Sequence, residues 1–274
     1  MSTRDAGPRD ACGLVSMLFS DPPAVAEVPP SAWGFGGLHG GLALGLVASS
    51  VRRSLRGHSL RSITGQFHQP VRETFAIDTR VIRSGRNASA VQATGSDSAG
   101  MCLTATAILG VDQEGTVPTY APDAPDTPGP HALASLEGLT HQVPVLSQVD
   151  VRPVGSIRPY SGAENPTMTA WMRVRGHDVP VDPSAVVFLL DALPPSYTAV
   201  LRQPRPVPTI EFSAHLTAHV PTSPWVLVRS RTVRAEAGGW VTESIDAWDL
   251  EGTHLASAQQ LRLAVAARPS PRRA

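Results

Sequence analysis

The chain has 274 residues, 23 basic and 23 acidic, so its formal net charge is zero. Every basic residue is arginine, yet the balanced charge leaves no electrostatic footprint for nucleic acid or an anionic membrane surface. The length allows two ordinary domains whose cores need neither disulfides nor metals, while a charged share of only 17% favours surfaces buried in a homo-oligomer.

Cys12 and Cys102 form no C-x-x-C or Cys/His zinc spacing and read as reduced thiols. Asp5, Arg9 and Asp10 precede the short apolar patch Leu14 to Phe19, the wrong layout for a signal peptide. The most apolar run, Gly40 to Val51, is roughly half the ~20 residues of a membrane span. A cytoplasmic protein without metal or cofactor is the expectation.

In chain order, a first unit over 14–111 opens with the strand-like SAWGFGG. HGGLALGLVASSVRR, His39 to Arg53, follows and is apolar nearly all round, as a helix buried on most sides should be. FAIDTRVIR then sets Phe75, Ile77, Thr79 and Val81 against Asp78 and Arg80, the period of a strand. Residues 112–142, rich in Pro, Asp, Gly and Thr, read as a linker and as the least ordered segment. The second unit, 143–267, repeats the order of elements: strand-like VDVRPV and TMTAWMRVRG, then DPSAVVFLLDALPP as a helix. Asp182 serves there as N-cap, Pro183 sits in the first turn and Pro194-Pro195 is the stop. TIEFSAHLTAHVP alternates Ile210, Phe212, Ala214 and Leu216 against polar neighbours. Each half is thus a long buried helix wrapped by a curved antiparallel sheet, an α+β hotdog layout given twice. The two halves are expected to pack as a pseudo-dimer, sheets running together and helices on one side. Apolar residues on both faces of PWVLV add to the case for association of chains.

Six blocks between Val149 and Val265, together with GGLHGGLALGL and HSLRSITGQFHQPV, resemble the type II acyl-CoA thioesterases in order and spacing. That resemblance implies a double hotdog, two antiparallel sheets each wrapped around a central helix, and hydrolysis of an acyl-CoA or acyl-carrier thioester by an activated water. It places the family's catalytic Asp on Asp191, its Thr on Thr209 and its Gln on Gln260. A thioester carbonyl is electrophilic enough that water needs a positioned acceptor for its proton and neighbours to hold it; Asp191 would be the acceptor, the other two the positioners.

The sequence departs from the family where Glu211-Phe212 follows Thr209 in place of Asp-His. The first-half counterparts of Gln260, Ala107 or Ile108, are apolar, which implies that the first half carries no catalytic apparatus. By strand parity Thr209 shares a side with Glu211 and Ser213, and Gln260 with Ala256 and Ala258. Taken alone, Asp191 reads more readily as a helix-end carboxylate bonded to loop amides; only the triple is specific. His39, Gly40 and Gly41 open the first helix, whose free amides would polarise a carbonyl and make a substrate-binding element; glycines that let helix and sheet approach closely explain the same residues equally well.

No G-x-S-x-G nucleophile elbow occurs, and the spacing in GFGGLHGG is not that of a dinucleotide fingerprint. Two further readings stand beside the thioesterase: an inactive double hotdog that binds or scaffolds acyl thioesters, and a hydratase built on His177 and Asp182.

Overall fold

The computed structural model describes residues 18, 25–113, 115, 118–136 and 143–265. Cys12, most of the Leu14 to Phe19 patch, parts of the linker and residues 266–267 of the second unit lie outside the described residues. The first unit contributes β1 (Val25–Glu27), helix α1 (Gly40–Ser54), β2 (Ser59–Phe67), β3 (Thr74–Arg83), β4 (Ala88–Asp97) and β5 (Gly100–Gly110). The second contributes β6 (Val149–Val154), β7 (Thr167–Val174), helix α2 (Pro183–Ala192), β8 (Thr209–Leu216), β9 (Val226–Ala235), β10 (Trp240–Trp248) and β11 (His254–Leu263). SAWGFGG does not make a strand of the sheet: Pro30–Ala32 form a short 3-10 turn, and only an isolated bridge joins Trp33 to Leu38.

The sheets of the two halves run together, as expected of a pseudo-dimer, so that the two sheets the resemblance implies are a single one, with strand order β1-β3-β4-β5-β2-β8-β11-β10-β9-β7-β6 and every neighbour antiparallel. The units join where β2 pairs with β8, from Ser62 opposite His215 to Gln66 opposite Glu211, and the Thr64 and Ser213 hydroxyls meet at 2.8 Å. Each unit alone would leave β2 or β8 as a bare edge, a row of unpaired amides open to any other strand. Mutual pairing removes both edges, which is why two sheets become one.

Both helices lie against one face of this sheet and against each other. Asp182 caps α2 by accepting from the Ala185 amide at 2.9 Å, with Pro183 in the first turn as its φ requires. The axes run antiparallel, since Gly41 meets Asp191 while Gly45 meets Ser184 near the other end of α2. A Cβ on Gly45 would lie 2.8 Å from the Ser184 carbonyl oxygen, so the small residues of α1 set how closely the helices approach. Leu42, Leu44 and Val47 of α1, Val187, Phe188 and Leu189 of α2, and Phe212 and Ala214 of β8 belong to one continuous buried core.

The opposite face of the second unit's sheet carries Trp171, Trp225, Leu227 and Trp248, all buried. They are covered by residues 118–136 of the segment read as a linker. Trp171 Nε1 donates to the Pro128 carbonyl at 3.0 Å, Trp248 Nε1 to that of Pro122 at 2.9 Å, and the Leu136 amide to Val151 at 2.7 Å. Arg152 and Arg173 stack on the Trp225 ring, each with its guanidinium carbon 4.9 Å from the ring centre. The expectation of a loosely held linker is therefore corrected for 118–136, which form a strap. A proline-rich segment shows no hydrophobic period, but its carbonyls are good acceptors for indole N–H groups that burial would otherwise leave unpaired. The strap also removes the motive for chain association drawn from PWVLV, because its outer face is buried within the chain.

Candidate active site

Asp191 stands in the last turn of α2, where the helix dipole disfavours a carboxylate, but it is turned toward the N-terminus of α1, where the dipole favours one. Its Oδ2 accepts the Gly41 amide at 2.7 Å. Its Oδ1 accepts Gln260 Nε2 at 2.7 Å, Arg262 Nη2 at 2.8 Å and the Thr209 hydroxyl at 3.5 Å. Asp191, Thr209 and Gln260 are thus brought together, one from each of α2, β8 and β11. Asp191 is 7% exposed and Gln260 1% exposed, so these bonds are made away from bulk water.

Thr209 reaches this cluster by a departure from regular strand parity. Phe212 pairs with Gln260 and Glu211 with Leu261, but Arg262 pairs with Thr209, which leaves Ile210 as an extra residue. This bulge turns Thr209 to the side of Phe212 and Gln260; a regular strand would leave it with Glu211 and Ser213 on the outer face. Gln260 does share its inward side with Ala256 and Ala258, all three buried.

Two further residues complete the cluster. Arg262, 4% exposed, donates from Nη1 to Thr209 Oγ1 at 2.7 Å and from Nη2 to Gln260 Oε1. Behind it Glu243, fully buried, brings Oε2 within 2.6 Å of Arg262 Nε, an ion pair without hydrogen-bond alignment. Parity carried a signal for both. Arg262 is two residues after Gln260, and Glu243 occupies the inward set Val241, Glu243, Ile245, Ala247, where a charge demands a buried partner.

Burial, the largest single influence on Asp191, pushes its carboxyl up. The Arg262 charge, His39 and the hydrogen bonds from Gln260 and Gly41 together outweigh it and hold the carboxyl below its usual range. His39 is depressed chiefly by burial, with Asp191 opposing and Arg262 adding. At neutral pH the pair is therefore a carboxylate beside a neutral imidazole. His39 caps α1 without a side-chain hydrogen bond to it, its Nε2 lies 3.7 Å from Asp191 Oδ2, and its ring meets Phe188 edge-on at 5.8 Å.

A cavity of about 320 Å³ opens on this cluster at the meeting of the two units. His39, Gly40, Asp191, Thr209 and Arg262 face it, and Phe67, Val71, Leu103, Leu146, Leu193 and Val207 supply apolar wall. Gln260 and Gly41 are not in its lining. Of the three residues expected to bind substrate, His39 and Gly40 meet the cavity, whereas the Gly41 amide is committed to Asp191. At the pseudo-symmetric place, where α1 ends beside the start of α2, Arg52 is paired with Asp182 and bonded to Ser184 at 3.2 Å. That closes the counterpart site with an ion pair and ties up Asp182, the carboxylate of the hydratase reading.

Gly41 has no room for a side chain: a Cβ would lie 2.5 Å from Asp191 Cβ and 3.0 Å from the Phe188 carbonyl oxygen. Gly41→Ala must push the helices apart, at a cost of roughly 1–3 kcal/mol set against the ~1 kcal/mol that alanine returns in helix propensity. The expected result in chemical denaturation is a lower midpoint. A midpoint at or above that of the wild type would contradict the close helix contact.

Among the described residues no His, Cys, Asp and Glu are grouped to hold a metal ion, and no helix is long and apolar enough to cross a membrane. A family model described as acyl-CoA thioesterase N-terminal domain matches residues 29–110, and one described as acyl-CoA thioesterase C-terminal domain matches 118–264. No curated protein matches the chain. Among solved structures, a conserved hot dog fold protein of unknown function from Alicyclobacillus acidocaldarius is 22% identical, with a TM-score of 0.78 over 89% of this chain and 93% of its own. A proposed thioesterase II from Thermobifida fusca YX is 24% identical, TM-score 0.76, over 88% and 92% of the two chains. The TesB protein of Mycobacterium avium subspecies paratuberculosis is 17% identical, TM-score 0.73, over 93% and 99%. With its hotdog-type fold and both domain matches in order, the chain belongs to the acyl-CoA thioesterase family.

Proposed function

We propose that this protein hydrolyses acyl thioesters of coenzyme A or an acyl carrier, with Asp191 as the general base. The observation that carries the reading is a buried carboxylate whose Oδ2 is turned toward Gly40 and His39 on the wall of an apolar cavity. The acyl chain lies along that wall, and a water held at Oδ2 attacks the thioester carbonyl carbon as its proton passes to Asp191. The C–S bond of the tetrahedral intermediate then breaks. The leaving thiolate takes up the proton, giving a free thiol and a carboxylic acid. Thr209 and Gln260 hold the carboxylate in place from the Oδ1 side, which keeps it aimed at the cavity.

One observation favours a second reading, a protein that binds acyl thioesters without cleaving them: Oδ1 is already occupied by direct donors, so no water can sit there between Asp191, Thr209 and Gln260. Release of free thiol from short-, medium- and long-chain acyl-CoAs separates the two. The hydrolase reading expects release above the uncatalysed rate for at least one chain length. No release from any of them, with acyl-CoA binding retained in calorimetry, would establish the second reading instead. Dehydration of a hydroxyacyl thioester finds little support here, because it needs an acid at the leaving hydroxyl and Arg262 keeps Asp191 ionised.

A further inference from the structure

Among the described residues, Arg262 alone touches all three of Asp191, Thr209 and Gln260, with three of its N–H groups. A guanidinium has five N–H groups. Nη2 serves Asp191 Oδ1 and Gln260 Oε1; Nη1 serves Thr209 Oγ1 and, at 3.4 Å, the Val207 carbonyl; Nε faces Glu243 Oε2. The four Nη N–H groups are committed and Nε is covered by the Glu243 carboxylate, so no donor is open to a substrate carboxylate or phosphate, and Arg262 is not an anion receptor although it faces the cavity. Glu243 is fixed in turn by the Ser196 hydroxyl at 2.5 Å, the Tyr197 amide at 3.1 Å and the Thr232 hydroxyl at 3.5 Å. The charges therefore run Glu243, Arg262, Asp191 from β10 through β11 to α2. His39, from the segment before α1, is the remaining titratable group against Asp191.

We infer that Arg262, anchored by Glu243, is a positioning residue for the hydrolysis: it fills the Oδ1 side of Asp191 and confines the attacking water to Oδ2, beside His39 and Gly40. The inference rests on the proposed hydrolase reading for its kinetic consequence and on the cluster's geometry for its electrostatic one. A buried arginine with two carboxylate partners is costly to desolvate, and such an arrangement adds less to stability than its contacts suggest. What it does supply is orientation: a planar fork that ties Asp191, Thr209 and Gln260 into one rigid unit.

The test uses Arg262→Lys and Arg262→Gln in the full chain, read by the pH profile of kcat/KM and by 13C NMR titration of the aspartate carboxyls, with Asp191 assigned through Asp191→Asn. Lysine keeps the charge but not the fork, so the acid limb should stay near its wild-type position while kcat falls by roughly tenfold or more, the scale of a misplaced catalytic group. Glutamine removes the charge, so the acid limb and the Asp191 titration should both move up, because burial is no longer opposed by the nearest cation. Should Arg262→Gln fail to fold, Arg262→Gln with Glu243→Gln removes both charges of that ion pair and carries the same expectation. Wild-type kcat and an unmoved Asp191 titration in folded variants would overturn the inference. If the wild type releases no thiol while the Asp191 titration shifts as expected, the hydrolase reading falls and the electrostatic role of Arg262 stands.

Discussion

Asp191→Asn is expected to lower thioester hydrolysis by roughly 10²-fold or more, the scale of losing a general base. The amide has the size of the carboxylate and can still accept at one atom, so shape and most packing survive. It cannot take the water's proton. Its NH2 group must also face either the Gly41 amide or the donors of Gln260 and Arg262, so at least one hydrogen bond becomes a donor–donor contact. Removing one partner of a buried ion pair costs about 3–5 kcal/mol when the other charge is left bare; here Glu243 still faces Arg262, and the loss should be smaller. Kinetics on protein shown to be folded by circular dichroism measure the effect. A wild-type rate would remove Asp191 from the mechanism.

The direction of the pH dependence follows from the same contacts. Because the Asp191 carboxyl is held below its ordinary range, its basic form persists through neutral and mildly acid pH, and both its catalytic role and its contribution to stability are lost as pH falls through that depressed value. His39, lowered mainly by burial, is neutral in the fold and costs stability as pH falls below its ordinary value, where the unfolded chain would bind a proton that the native site resists. Both groups therefore weigh against the folded state in acid and neither does so in base.

The elements that the sequence made legible are those whose pattern is local. Both helices, the cap at Asp182 and the inward set of β11 follow from period and residue type. What escaped depends on partners distant in sequence. That the two sheets run together was expected, but which strands meet was not legible: the join turns on β2 and β8, with Thr64 and Ser213 149 positions apart, and alternation within either strand is the same whether its edge is paired or bare. Resemblance set Thr209 beside Asp191 and Gln260, whereas parity put it on the other side, because one extra residue at Ile210 reverses the face beyond it. Arg262 and Glu243 escaped as well: each is a charge at an inward position, but its meaning lies in the other and in Asp191, which alternation within one strand does not show.

Trp248→Ala should be the most damaging substitution far from the site, destabilising the protein by about 3–5 kcal/mol, the range for truncating a buried large aromatic. The ring is fully buried, packs edge-on against His254 with centroids 5.8 Å apart, carries the Arg229 guanidinium carbon at 4.9 Å from its centre, and donates Nε1 to the Pro122 carbonyl at 2.9 Å. Truncation removes all three contacts and opens a void between sheet and strap that neighbouring strands are too constrained to fill. The strap loses one of its two indole anchors, so hydrogen exchange should quicken for amides in 118–136 well before it does in β9 or β10. Because Asp191, Arg262 and the cavity lie on the other face of the sheet, the protein that remains folded should turn over substrate as the wild type does. An unfolding free energy within about 1 kcal/mol of wild type, or strap amides protected as in the wild type, would mean that the tryptophans do not hold residues 118–136 in place. The indole contacts would then be incidental to a segment fixed by its Leu136 and Arg152 hydrogen bonds alone.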